Sequence, residues 1–300
     1  MTRFLTAAAG YFTLALSVLG LGACSPLALF DALGPRDGGG RLALKDAAYG
    51  PGPRGRLDVF VPVSAPASAP VLVFFYGGSW KGGSKEDYAF VGQALAAQGF
   101  VTVMPDYRLY PEVRFPAFLD DGAAAIAWVR DNIVAYGGDP RRIVLAGHSA
   151  GAYNAVMLGL DHRYLRRAGV NPQAIRAVAG LSGPYDFLPL DEGTAQQVFG
   201  EAPDKAATQP ITFAGPLSPP AFLATGEADT IVRPRNTRSL AAKLRAARVS
   251  VQERVYPDLD HADTLLALSV AFRSKAPELA EMTAFLKQFA EERPTTAARR

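Results

Sequence analysis

Apolar positions along this chain fall into short runs separated by longer amphipathic stretches. Residues 57–61 alternate in polarity as a half-buried strand does. Residues 71–76, 100–104, 177–182, 221–225 and 251–256 read as further strands, several of them apolar on both sides. Helical spacing occupies 86–98, which closes at Gly99, and 117–136, where Ile126, Val129 and Ile133 share a face before Gly137-Gly138-Asp139-Pro140. Two more helices are predicted at 234–247 and 277–291. Strand and helix alternate, so the pattern predicts an α/β fold: a mostly parallel central sheet with helices on both faces. Residues 183–220 break the alternation, being irregular and rich in proline, with one helical piece near 195–199. A stretch of that length inside a compact domain reads as a lid or as part of a substrate wall. No internal repeat is present.

The first 24 residues are different in kind. One early cation, Arg3, precedes an apolar run over 4–21, which ends in small residues as an export signal does. The run is also near the length of a membrane span. Its end, Leu21-Gly22-Ala23-Cys24, resembles a bacterial lipobox. That resemblance implies lipidation of Cys24, cleavage before it, and a membrane partner reached through the lipidated cysteine. Ser25 resembles the residue found there in lipoproteins sorted to the outer membrane, so the expected location is the cell envelope on the periplasmic side. A plain cleaved signal and a retained membrane helix are the alternatives. Residues 25–45 hold Pro35 and Gly38-Gly39-Gly40 with little periodicity and read as a tether. The catalytic-sized domain is then 46–292, and 293–300 is a frayed tail.

Composition narrows the chemistry. Apolar residues make up 49% of the 300, enough to bury a sizeable core. The net charge of +3 is small, and its cations are scattered except for Arg299 and Arg300, which argues against nucleic acid as a partner. With one cysteine there is no intrachain disulfide, and no Cys/His cluster has zinc spacing, so neither metal nor organic cofactor is implied. Only His148, His162 and His261 are available to a mechanism that needs an imidazole.

The stretch from Arg142 to Ala155 carries the chemistry. An apolar strand runs into Gly147-His148-Ser149-Ala150-Gly151, and small residues then open a helix. Gly-x-Ser-x-Gly between strand and helix is a nucleophile elbow, which lifts the serine hydroxyl above the sheet. A Cβ at Gly147 or Gly151 would crowd the neighbouring strand and helix where the chain doubles back. The helix that follows directs its N-terminal dipole to the place where negative charge develops. A second signal is Gly77-Gly78-Ser79-Trp80 after the strand 71–76: adjacent glycines at a strand end let consecutive N–H groups face outward as an oxyanion loop.

Ser149 needs a base to take its proton. His148 is its neighbour on a tight turn, where side chains diverge, and reads as a packing residue of the elbow. His162 lies among Arg163, Arg166 and Arg167 and reads as a surface residue. His261 follows the last strand, in a loop that leaves a parallel sheet at the same carboxyl edge as the elbow, and is the candidate base. The acid that orients it is assigned to Asp229, just past the strand 221–225 at that edge, with Glu227 and Asp258 as rivals. Asp260 adjoins the histidine and should point elsewhere.

The order Ser149, Asp229, His261 is the one used by α/β-hydrolases. With Asp106-Tyr107-Arg108-Leu109-Tyr110-Pro111-Glu112, Phe115-Pro116 and Asp120-Asp121, the chain from about 57 to 292 resembles an α/β-hydrolase of carboxylesterase type. The branch is the hormone-sensitive-lipase-like and feruloyl- or acetyl-esterase-like one, which includes kynurenine-formamidase-like enzymes. The resemblance implies an oxyanion hole on the N–H groups of Gly77, Gly78 and Ala150, and a serine hydrolase that acts through an acyl-enzyme on a small-molecule ester, short-chain or aryl. Tyr76 departs from the family, which usually has histidine before the two glycines. Competing readings are an amidase, peptidase or formamidase on the same fold, a lipase whose lid is 183–220, and a catalytically inactive binding lipoprotein.

Overall fold

The computed structural model describes residues 26–64 and 68–291. The expected export signal, Cys24 and the expected tail 293–300 therefore lie outside the described residues. Eight strands form one sheet: β1 (Gly40–Ala48), β2 (Arg56–Pro62), β3 (Ala69–Phe75), β4 (Val101–Pro105), β5 (Gly138–His148), β6 (Ile175–Leu181), β7 (Ala221–Gly226) and β8 (Val251–Tyr256). Their order is β1-β2-β4-β3-β5-β6-β7-β8. Only β2 runs against its neighbours, and from β4 to β8 every pairing is parallel. The connecting helices are α1 (Pro26–Leu33), α2 (Ala89–Ala97), α3 (Ala117–Asn132), α4 (Ala150–Leu160), α5 (His162–Arg167), α6 (Thr194–Phe199), α7 (Pro210–Phe213), α8 (Arg235–Ala246), α9 (Asp263–Leu266) and α10 (Glu278–Glu291). This is the mostly parallel α/β sheet that the alternation predicts, in the architecture that the α/β-hydrolase resemblance implies.

The unbroken apolar run of β3 has a simple cause, because successive strand residues face opposite sides and both sides are covered. Phe75 meets α3 at Gly122, while Phe74 lies 6.3 Å from Tyr88, at the entry to α2. On β7, Phe222 packs against Phe285 of α10 at 6.1 Å. Each such ring, withdrawn completely from water, contributes about 1.5–3 kcal/mol. The sheet that results is rigid and carries its loops at one carboxyl edge. None of the described helices is long and apolar enough to cross a membrane.

Residues 26–45 are not a free tether. Helix α1 docks on the domain: Phe30 sits 5.2 Å from Phe90 and 5.8 Å from Phe272, and the Asp31 carboxylate accepts a 2.7 Å hydrogen bond from the Phe90 amide in the first turn of α2. Asp37 pairs with Arg273 at 2.9 Å, and β1 begins at Gly40. The strand escapes a reading by hydrophobic pattern because it lies at the sheet edge, with Arg41, Asp46 and most of its length open to solvent. The predicted helix over 117–136 is α3 finished by a 3-10 turn, Ile133–Tyr136.

Candidate active site

Ser149 stands where β5, the strand between β3 and β6, turns into α4. Its backbone has φ 54° and ψ −124°, a conformation that costs a residue with a side chain on the order of 1–3 kcal/mol. The strain is held by its surroundings. The Ser149 amide donates to the Leu181 carbonyl at 2.9 Å, locking the elbow to β6. A Cβ on Gly151 would lie 2.0 Å from the Phe75 carbonyl oxygen, and one on Gly147 would lie 2.3 Å from that of Gly151. Both contacts are with backbone, so the elbow closes only around glycine.

The loops after β7 and β8 are stitched together because these strands are parallel neighbours: the Glu227 amide donates to the Tyr256 carbonyl and the Ala228 amide to that of Leu259. That stitching brings Asp229 and His261 side by side. His261 Nδ1 lies 2.8 Å from Asp229 Oδ2, and His261 Nε2 lies 2.9 Å from Ser149 Oγ. A carboxylate accepts only, so Nδ1 carries the proton and Nε2 is free to accept the serine hydroxyl. Burial pushes the Asp229 carboxyl up, but the hydrogen bond and charge of His261, the Val232 amide and the Ser182 hydroxyl together hold it below the usual value. It is therefore an anion at neutral pH.

The rivals are occupied elsewhere. Glu227 pairs with Arg238 at 2.5 Å, Asp258 is exposed, and Asp260 accepts from the amides of Ala262 and Asp263 at the start of α9. His162 is half-buried rather than on the open surface, at the first position of α5, and has no part in the site. His148 does more than pack. Its Nε2 donates to the His261 carbonyl at 2.9 Å, and the ring centroids are 4.9 Å apart. Burial, with the nearby His261, lowers its pKa to about 3, so the ring is neutral. Two groups invisible to the sequence reading join it. The Thr264 hydroxyl also donates to the His261 carbonyl, at 3.1 Å, and lies 3.0 Å from the Ser182 hydroxyl. Nothing in local spacing marks these residues; they meet only when β6 and α9 are placed in the fold.

The glycine loop packs beside the elbow. The Gly77 amide interacts with the Tyr88 hydroxyl, and Gly77 fits against the elbow, where a Cβ would lie 3.1 Å from that of Ser149. Ser79 and Ala150 line the cleft beside Ser149 instead. Gly77 thus spaces the loop from the elbow rather than facing the cleft. Tyr76, which precedes the two glycines, is fully buried. It stacks on Tyr107 with centroids 4.6 Å apart, and its hydroxyl accepts a 3.0 Å hydrogen bond from Arg54, which also donates to the Gly83 carbonyl at 3.1 Å. The loop is further anchored by buried Lys85, which pairs with Asp46, Asp58 and Glu86.

The cleft above Ser149 holds about 440 Å³ and has Trp80, Phe187, Pro189 and Val232 among its walls. The Trp80 indole donates to Asn154 of α4 at 3.1 Å and meets Phe199 edge-on at 4.8 Å. The irregular stretch 183–220 is thus one wall of the cleft, tied to the core where the Tyr153 hydroxyl donates to the Thr208 carbonyl at 2.7 Å. Among the described residues no group of His, Cys, Asp and Glu could hold a metal ion.

The family model BD-FAE matches residues 57–244, from β2 into α8. The chain belongs to the BD-FAE family. Among curated relatives, this BD-FAE chain is 32% identical over 239 residues to esterase LipC of Mycobacterium tuberculosis, covering 73% of this chain and 59% of the relative. It is 30% identical over 243 residues to isoprenylcysteine alpha-carbonyl methylesterase ICME of Arabidopsis thaliana, covering 74% of this chain and 57% of the relative. The chain thus spans little more than half the length of these relatives. Among solved structures, a Lactobacillus rhamnosis esterase B associated with a tributyrin phosphonate superposes with a TM-score of 0.75 at 20% identity, over 88% of this chain and 92% of that one. At that identity the likeness concerns the fold.

Proposed function

We propose that this BD-FAE protein is a serine carboxylester hydrolase that works through an acyl-enzyme on short-chain or aryl esters. The reading rests on one observation: Ser149 Oγ, both ring nitrogens of His261 and the Asp229 carboxylate form a continuous hydrogen-bonded line with separations of 2.9 and 2.8 Å. His261 Nε2 takes the hydroxyl proton as Ser149 Oγ attacks the ester carbonyl, and Asp229 stabilises the imidazolium. The carbonyl electron pair moves onto oxygen. The amides of Gly78, Ser79 and Ala150 serve that oxyanion in this proposal, and each such donor is worth roughly 3–4 kcal/mol of transition-state stabilisation. Collapse expels the alcohol, which receives the proton from His261. Water then repeats the sequence on the acyl-enzyme and releases the acid. The relatives LipC, an esterase, and ICME, a methylesterase, support the same reaction class.

Ser149→Ala and His261→Ala should each abolish hydrolysis of an aryl acetate while far-UV circular dichroism is unchanged, and a fluorophosphonate probe should label the parent protein at Ser149 alone. Unaltered turnover in the serine variant would refute the proposal. Turnover of amides but not esters would shift it to an amidase or formamidase, and absence of labelling would indicate a binding protein.

We propose further that Cys24 is lipidated and holds the enzyme at the periplasmic side of the cell envelope. The lipobox resemblance supports this, and two or more acyl chains on one cysteine anchor stably where one does not. Cys24→Ser should move the protein from the detergent phase to the aqueous phase and remove the acyl mass from its N-terminal peptide.

A further inference from the structure

Charge is distributed unevenly around the candidate cleft. Arg233 and Arg235 both line it together with Ser149, and neither guanidinium has an ion-pair partner among the described residues. Other arginines of the same region are paired: Arg238 with Glu227 and Arg245 with Glu253, both on α8. Asp191 is the one carboxylate on the lining, and it is not ion-paired with either arginine, so two cations face one anion.

Neither arginine is explained by the needs of the fold. Arg235 is the first residue of α8, where a cation opposes the helix dipole rather than stabilising the helix. Arg233 sits on backbone fixed from both sides. On one side the Val232 amide donates to Asp229 Oδ1 at 2.8 Å; on the other, the Arg233 carbonyl accepts from the Asn236 amide at 3.0 Å. Asn236 in turn accepts from the amides of Tyr185 and Asp186 at 2.9 Å, tying this corner to the far wall of the cleft. The turn that presents the triad carboxylate therefore also delivers Arg233 to the cleft, at a fixed place relative to Ser149. Arg233 and Arg235 are exposed at the rim of the cleft, whose lining also includes buried Trp80 and half-buried Phe187.

We propose that Arg233 and Arg235 set substrate class: the cleft takes esters that carry a carboxylate remote from the scissile bond, held by these two guanidiniums. The inference rests on the ester-hydrolase reading of the same site. Arg is suited to the task because its planar donors match a carboxylate two at a time.

The test compares esters that differ only in charge. On the acyl side, monomethyl adipate is set against its monoamide; on the alcohol side, γ-acetoxybutyrate is set against γ-acetoxybutyramide. The parent protein should favour the anionic member of at least one pair by about tenfold or more in kcat/KM, as a charge-assisted hydrogen bond of about 1.5 kcal/mol gives. Added salt should erode that preference. In the Arg233→Gln, Arg235→Gln double variant the ratio should fall to near unity, and in the Arg233→Glu, Arg235→Glu variant it should invert. A ratio is insensitive to a general loss of active protein, which separates recognition from structural damage. Equal turnover within both pairs, or a preference that survives in the double variants, overturns the inference while leaving the esterase reading intact. No turnover of any ester together with no fluorophosphonate labelling overturns both.

Discussion

His148 Nε2 donates a 2.9 Å hydrogen bond to the backbone carbonyl of His261. The residue before the nucleophile therefore holds the loop of the base, behind the 2.9 Å reach from His261 Nε2 to Ser149 Oγ, through a side chain that takes up no proton in the reaction. His148→Phe keeps the bulk of the ring and removes the donor. A buried hydrogen bond of this kind is worth about 1 kcal/mol or more. The expected result is a fall in kcat of about tenfold with little change in KM, and slower but complete fluorophosphonate labelling of Ser149. Stopped-flow burst kinetics on an aryl acetate checks it, and a rise in KM alone would show that the tie does not position the base.

The same histidine makes the fold sensitive to acid. Burial lowers its pKa to about 3 from 6.5, so between those values the unfolded chain binds a proton that the folded chain refuses. The stability it allows is complete above 6.5 and is lost as pH falls toward 3. At about 1.4 kcal/mol per pH unit, the drop from pH 6.5 to about 5 costs about 2 kcal/mol. Urea denaturation at the two pH values should show this loss in the parent and a much smaller one in His148→Gln.

Much of this was legible in the residues themselves. Ser149, Asp229 and His261 could be chosen because a parallel sheet sends every strand end to one edge, so loops far apart in sequence converge there. The steric demand at Gly147 and Gly151 was likewise readable, since the turn and its backbone neighbours follow from the motif. Relations that run through main-chain atoms of other loops were not. His148 looked like packing because its partner is a carbonyl 113 residues away. Helix α1 and β1 were hidden for another reason: an edge strand and a short docked helix bury too little on a regular period to be distinguished from a glycine-rich linker.

Glu278 is fully buried at the start of α10, and neither carboxyl oxygen has a hydrogen-bond partner among the described residues. Burial, with Glu281 nearby, holds its pKa well above 4.5, so the folded protein favours the neutral acid. The unfolded chain ionises above 4.5, and the stability present below that value is lost as pH rises toward the folded pKa. Glu278→Gln removes the ionisation without changing shape. Its melting temperature should match the parent in acid and exceed it progressively at neutral and alkaline pH, as calorimetry across that range would reveal. A constant difference would mean that the carboxyl has found a partner.

The Tyr76 hydroxyl is the point where Arg54 meets the core at 3.0 Å, while Arg54 also holds the Gly83 carbonyl. The hydroxyl serves Asp106 as well. Burial raises that carboxyl to about 6, against the Lys85 amide and the Tyr76 hydroxyl, which favour its anion. Tyr76→Phe leaves the stack on Tyr107 in place and takes one donor from Asp106 and one acceptor from Arg54. The expected cost is about 1–3 kcal/mol of stability, since buried partners are left unmatched. Because Asp106 also accepts from the Lys85 amide at 3.0 Å, a further rise in its pKa should loosen the loop over 77–85 as pH falls through the neutral range. Hydrogen exchange at the amides of Gly78 and Ser79 should therefore quicken in the variant below neutrality and not above it. Exchange unchanged at every pH would show that the glycine loop is held by Lys85 and its three carboxylates without help from the tyrosine.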